Sequence, residues 1–204
     1  MTPPTVTLTG RVERAWRTAT GERHCILIVE GQRHHLSGPL PPLSRGCTLT
    51  AETCGHEVLR AERTVTEQEI AWAFYSALTG FARASAAKII RILGDDTHRI
   101  ITGGSAADVE GLSASGVRAM RQYAIREGRR YAAFQELAAL GLPPEHARDL
   151  VKRHGAGAPS VFCHNPYGAA DTVPLDVLDH AARLQGISSF DPRRNAALAY
   201  HVTQ

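Results

Sequence analysis

No apolar run in the chain approaches the roughly 18–20 residues that a membrane-crossing helix needs. The N-terminus, MTPPTVTLTG, has neither a basic n-region nor an apolar h-region. That sets the expectation of a cytoplasmic protein without a secretory signal. Lysine is nearly absent: Lys88 and Lys152 are the only two, so arginine supplies 21 of the 23 basic residues. Neither lysine follows a glycine, so the phosphate-binding loop G-x-x-x-x-G-K-[ST] is missing and ATP hydrolysis by that route is excluded. Gly103-Gly104-Ser105 is a glycine-rich turn without the lysine. The four cysteines, Cys25, Cys47, Cys54 and Cys163, form no C-x-x-C pair and no zinc-ribbon spacing. His24, His34, His35 and His56 lie near three of them, but alternation puts His34 and His35 on opposite faces of a strand, which is poor ligand geometry. The thiols therefore read as small buried hydrophobes, and no metal or cofactor is expected.

What is present is ordinary globular chemistry: 204 residues, 43% hydrophobic, 21% charged, with a net charge of +3. So mild an excess does not by itself identify nucleic acid as the partner. The arginine bias fits a GC-rich coding sequence, and it also suits phosphate recognition by a planar, multi-donor cation.

Residues 5–65 read as β structure. Alternation runs over Thr5–Val12, His24–Val29, His34–Ser37, Cys47–Thr53 and Glu57–Thr64, broken by Thr20-Gly21, Glu30-Gly31, the proline-rich Gly38–Pro42 and Gly55. Five short strands without a helical period predict a small barrel of the OB type, with an SH3-like barrel as its rival. Thr66-Glu67-Gln68-Glu69 opens a helical region, with threonine placed to cap and acids in the first turn. The expected architecture is α+β: an OB-like barrel over 1–65, a first helical unit over 66–127 and a second, degenerate one over 128–204.

The helical region repeats itself at an offset of 61 residues: Gly80 with Gly141, Ala86 with Ala147, Ile89-Ile90 with Leu150-Val151, Arg91 with Lys152 and Gly94 with Gly155. Each copy opens on the helix-hairpin-helix pattern, apolar-x-Gly-apolar-Gly followed by Ala and two apolar residues. In the first copy the turn is Gly80-Phe81-Ala82. A second turn in that copy is Val109-Glu110-Gly111-Leu112-Ser113. In the second copy the turns are Gly141-Leu142-Pro143 and the degenerate Ala170-Asp171-Thr172-Val173-Pro174. Such a turn feeds the start of a helix, whose first N–H groups have no partner and carry partial positive charge. A nucleic-acid phosphate can sit there without its sequence being read. The candidate DNA-binding residues are Gly80, Phe81, Ala82, Arg83 and Lys88 at the first hairpin, and Gly111, Leu112, Ser113, Arg118 and Arg121 at the second. Proline has no N–H to donate, so the third and fourth hairpins are weaker candidates.

The whole order resembles the N-terminal region of the RecD-like DNA helicases of the YrrC type. The resemblance rests on Gly10-Arg11-Val12-Glu13-Arg14, on Leu36–Gly46 with its Gly38-Pro39-Leu40-Pro41-Pro42-Leu43 turn, on His154-Gly155 through Asn165-Pro166-Tyr167, and on Asp191-Pro192-Arg193-Arg194 with the following helix. It spans nearly the whole chain. The chain departs from the family at the H-x-x-Y-G element, of which only Cys54-Gly55-His56 remains, and at the last hairpin, Val173-Pro174-Leu175. The resemblance implies a non-catalytic DNA-binding module of a helicase, gripping single-stranded or forked DNA in repair or recombination. Trp16 is the candidate aromatic group on the barrel. Two other readings stay open: a RuvA-like junction-binding protein, and a protein-interaction scaffold in a repair complex. Asp95, Asp96 and His98 cluster after Gly94, and are read as acids facing a helix dipole rather than as a catalytic set.

Overall fold

The structure, a computed structural model, describes residues 4–104 and 111–203. It is α+β and divides into two compact units, Met1–Thr66 and Glu67–Gln204.

The first unit holds β1 (Thr5–Arg17), β2 (Arg23–Val29), β3 (Gln32–Gly38), β4 (Thr48–Cys54) and β5 (Glu57–Thr64). They form a sheet closed into a ring in the order β1-β2-β3-β5-β4. All neighbours run antiparallel except β3 and β5, whose short parallel contact pairs Ser37 with Glu57. The first strand is longer than the expected Thr5–Val12. Its first half pairs with β4 and its second half with β2, Arg11 belonging to both ladders. The alternation hides this because the register shifts between Val12 and Arg14. That bulge puts buried Val12 and inward-packed Ala15 three residues apart. Gly10 lies where the strand changes partners, and a Cβ there would collide with the backbone of Ile28.

Turn chemistry sets the registers. Glu30 and Gly31 both have positive φ, +49° and +81°, and make the two-residue turn between Val29 and Gln32. The interior is lined by Val12, Cys25, Leu27, Leu36, Leu40, Cys47, Leu49, Ala51 and Val58. Leu40 comes from the proline-rich connection, where its carbonyl accepts from Arg23 at 2.5 Å. Cys25 and Cys47 are buried as hydrophobes. Burial, with Cys47 beside it, pushes the Cys25 thiol up to about 11, so it stays protonated at neutral pH.

The second unit holds α1 (Glu67–Tyr75), α2 (Gly80–Leu93), α3 (Thr97–Gly103), α4 (Ala114–Ala139), α5 (Pro144–His154), α6 (Ala158–His164), α7 (Leu175–Leu184) and α8 (Pro192–Val202). The repeat is plain in the backbone. Gly94 ends α2 with φ +58° and ψ −133°, and Gly155 ends α5 with φ +57° and ψ −133°. Each is followed by one 3-10 turn and a seven-residue helix. Matching positions are buried alike: Ala86 and Ala147, Ile89 and Leu150, Ile90 and Val151, Thr97 and Ala158, Ile101 and Phe162. Residue 127, the expected end of the first helical unit, falls inside α4, so 127/128 is not a break in the chain's architecture. The 26-residue helix serves both copies: its first half closes copy one, and its second half opens copy two. No helix among the described residues is long and apolar enough to cross a membrane.

Gly10→Ala is expected to destabilise the ring by about 3 kcal/mol, the upper range for overpacking against a backbone that has little room to move. Denaturant unfolding followed by circular dichroism measures it; a loss below about 0.5 kcal/mol would contradict the close approach of β1 to β2.

Candidate functional site

The first copy presents two helix N-termini side by side. α2 starts at Gly80, which has φ +56°, a conformation glycine adopts without strain. No side chain caps this end, and no acid lies in its first turn. α4 starts after Ser113, whose hydroxyl accepts from the Gly116 amide at 3.2 Å, leaving the earlier amides without a side-chain cap. Its first turn is also free of acids. The two ends are brought together at Gly116, where a Cβ would lie 2.6 Å from the Ser85 Cβ. Only a residue without a side chain lets α4 approach α2 this closely. Val109 and Glu110 of the second hairpin, and Ser105 of the glycine turn, lie outside the described residues.

Exposed cations lie along both helices, with Arg91 in the last turn of α2. Arg83, Lys88 and Arg91 project from α2, and Arg118 and Arg121 from α4. The Arg121 guanidinium lies 3.4 Å from where a Gly104 Cβ would be. Phe81 is 72% exposed at the tip of the first hairpin, whereas Leu142, its repeat partner, is fully buried. Leu112 is half-buried.

The second copy is built differently. α5 has Pro143 as its cap residue and Pro144 in its first turn, with Glu145 beside it. α7 has Pro174 as its cap residue, with Asp176 in its first turn. Prolines remove donors and acids oppose an anion, so these ends lack what the first two offer. Three arginines of this copy are tied to aspartates. Arg153 holds Asp171 at 2.8 and 3.1 Å, and Arg194 grips Asp179 at 2.8 and 2.9 Å. Tyr167 donates to the same Asp179 at 3.0 Å. Burial alone would raise the Asp179 carboxyl, but the Arg194 and Tyr167 hydrogen bonds outweigh it and hold it below its ordinary range. Arg193 donates to the His164 carbonyl at 2.7 Å and to Asp191, whose carboxyl it holds near 2. The Asn165-Pro166-Tyr167 and Asp191-Pro192-Arg193-Arg194 elements thus meet in space and lock α8 to the end of α6 and to α7.

Three residues did more than the sequence suggested. Asp95 accepts the Gln68 amide at 2.8 Å, so it caps α1 rather than facing its own helix. His98 is half-buried among aromatic rings: it stacks on Tyr131 with centroids 3.5 Å apart, and its Nδ1 lies 3.2 Å from the Tyr75 hydroxyl. Trp16 lies outside the ring's core, stacked with His24 and His35. No three His, Cys, Asp or Glu side chains among the described residues are placed to hold a metal ion. No protein-family model, curated protein or solved structure matches the chain.

Burial lowers the His98 pKa, with Glu67 opposing it, so the folded state favours neutral His98. The unfolded chain binds that proton more readily. The stability His98 contributes is therefore complete above about 6.5, the unfolded value, and is lost as pH falls toward the lower folded value. Unfolding midpoints at pH 7.5 and 5.5 should show this loss, and His98→Phe should flatten it; an unchanged slope in the variant would assign the pH response elsewhere.

Proposed function

We propose that this chain is a non-catalytic DNA-binding module that contacts the sugar–phosphate backbone through its first helical copy. The observation that carries the reading is the contrast between the copies. Copy one sets two acid-free helix starts beside each other, with Arg83, Lys88, Arg91 and Arg118 in no ion pair among the described residues. Copy two blocks the same positions with prolines and commits Arg153, Arg193 and Arg194 to aspartates. A phosphate on the Gly80–Ala82 amides gains both oriented donors and the helix dipole, and the cations add longer-range attraction. The second hairpin, at Gly111, Leu112 and Ser113, takes a neighbouring phosphate. Contacts of this kind fix position on DNA without reading bases.

The same reading makes the five-stranded ring an OB-type barrel. A long first strand shared between two partners, and a short parallel closure from β3 to β5, support that assignment over an SH3-like barrel. The order of barrel and paired hairpins supports an accessory role like that of the N-terminal region of RecD-like helicases, on single-stranded or forked DNA in repair or recombination. DNA, with a helicase motor or other repair protein as a further partner, is the proposed company of a cytoplasmic chain that needs no cofactor.

Fluorescence anisotropy with labelled single-stranded, duplex and forked DNA tests the reading. Binding should weaken steeply with salt, and Arg83→Ala with Lys88→Ala should lower the slope of log K against log salt by about 1–2. Arg153→Ala, which removes a cation already paired with Asp171, should leave binding unchanged. Equal affinity of the double variant and the parent at low salt would refute the reading.

A further inference from the structure

The ring carries a second feature that the hairpins do not explain. Trp16 pairs in register with His24 across β1 and β2, and His35 lies on the next strand. Their three rings are nearly parallel. Trp16 and His24 have centroids 5.5 Å apart at 13°, Trp16 and His35 5.3 Å at 7°, and His24 and His35 5.4 Å at 20°. None of the three belongs to the core; Trp16 and His24 are half-buried and His35 is exposed. They do not sit on the inner face with Leu27 and Leu36. They form instead a continuous aromatic platform on the outer face of three adjacent strands.

The platform continues into a cationic groove. The Arg14 guanidinium lies 5.5 Å from the Trp16 ring centroid, and Arg14 also lines a depression of about 570 Å³ with Arg33, Arg45 and the apolar Ile26 and Leu43. Ile26 is the register partner of both Arg14 and His35, so stack and groove share one strand. Glu13 is the one acid lining the depression, and it is engaged by Arg33 at 2.6 Å. An aromatic surface beside an arginine-lined groove matches what an unpaired nucleotide strand presents: base faces that stack, and phosphates one step away. A duplex hides its base faces and a protein partner has no regular run of them.

We infer that the Trp16–His24–His35 platform, with Arg14 and Arg45 of the adjoining groove, is a base-stacking site for single-stranded DNA, distinct from the backbone contacts of the hairpins. The choice of DNA rests on the function proposed above; the stacking does not. The two kinds of contact differ in what they need from the ligand. Stacking needs bases, and hairpin contact needs only phosphates.

The test uses the full chain carrying Trp72→Phe, so that Trp16 is the only tryptophan. Oligo-dT should quench Trp16 fluorescence, while an abasic oligomer of equal length should bind without quenching. Trp16→Leu should weaken oligo-dT binding about tenfold, in keeping with the loss of one stacked base. It should leave the abasic oligomer unaffected, and Trp16→Phe should restore most of the loss. His35→Ala, at an exposed strand position, should act in the same direction and carries the test if circular dichroism shows Trp16→Leu misfolded. Arg83→Ala with Lys88→Ala should instead weaken both oligomers by the same factor, so failure of the hairpin reading is seen separately. Equal binding of oligo-dT and abasic oligomer with no quenching, or unchanged oligo-dT affinity in both platform variants, would overturn the inference. A response to oligo-rU alone would overturn its assignment to DNA.

Discussion

Tyr131 stands where the helical unit is held together. Its ring lies flat on His98 from α3, with an interplanar angle of 7°, and meets Phe74 from α1 edge-on with centroids 5.2 Å apart. Its hydroxyl donates to Glu67 at 2.6 Å, at the start of α1, and Gln135 one turn along donates to the same carboxylate. Burial, and then the bond to Glu67, push the phenol above its ordinary pKa, so it remains a donor at neutral pH. One side chain near the middle of α4 thereby fixes α1 and α3 against that helix. Gln68 extends the tie, donating its side-chain amide to the Ile90 carbonyl of α2. The mutual placement of the α2 and α4 N-termini depends on this arrangement, because Gly116 can meet Ser85 only if both helices are held at that crossing.

Sharing α4 between the copies has a further consequence. Its 26 residues run about 39 Å at 1.5 Å per residue, without an internal break. Two repeats joined by a flexible linker would move independently, whereas repeats joined through one helix cannot. Copy two can then act as a buttress: its Asp179–Arg194–Tyr167 cluster and the Arg193 bond to the His164 carbonyl fasten α8 to α7 and the end of α6. Arg153 and Asp171 do the same between α5 and the turn before α7. On the proposed reading, duplication followed by loss of donors at Pro143 and Pro174 left one copy to bind and one to brace it.

Much of this was readable in the sequence because it depends on local rules. Glu30-Gly31 makes a two-residue turn because both positions take positive φ, and the offset between Gly94 and Gly155 marks the same backbone kink twice. What escaped depends on distant groups. The extra length of β1 was masked by the shift between Val12 and Arg14, since period-two reasoning fails at a bulge. Asp95 caps α1 by accepting from Gln68, 27 residues earlier in the chain, which no spacing rule detects. His98 is an unremarkable histidine until α1 and α4 close over it. The stack on the ring needed three strands in register; in sequence, Trp16, His24 and His35 follow no shared period.

Charge shows the same limit from another side. A net charge of +3 looks too small for a protein that grips a polyanion. Much of the opposite charge is consumed internally: Asp96 by Arg99, Glu127 by Arg126 and Arg130, Asp171 by Arg153, Asp179 by Arg194 and Asp191 by Arg193. These groups nearly cancel in any sum over the chain and contribute little field at a distance. The cations Arg83, Lys88, Arg91 and Arg118, in no ion pair among the described residues, lie on the two helices whose N-termini converge, and Arg14 and Arg45 lie by the aromatic platform. What a phosphate meets is this local field and the amides behind it, not the total. Because exposed charges are screened within about 8–10 Å at physiological salt, the placement of a few free cations outweighs the balance of all the others.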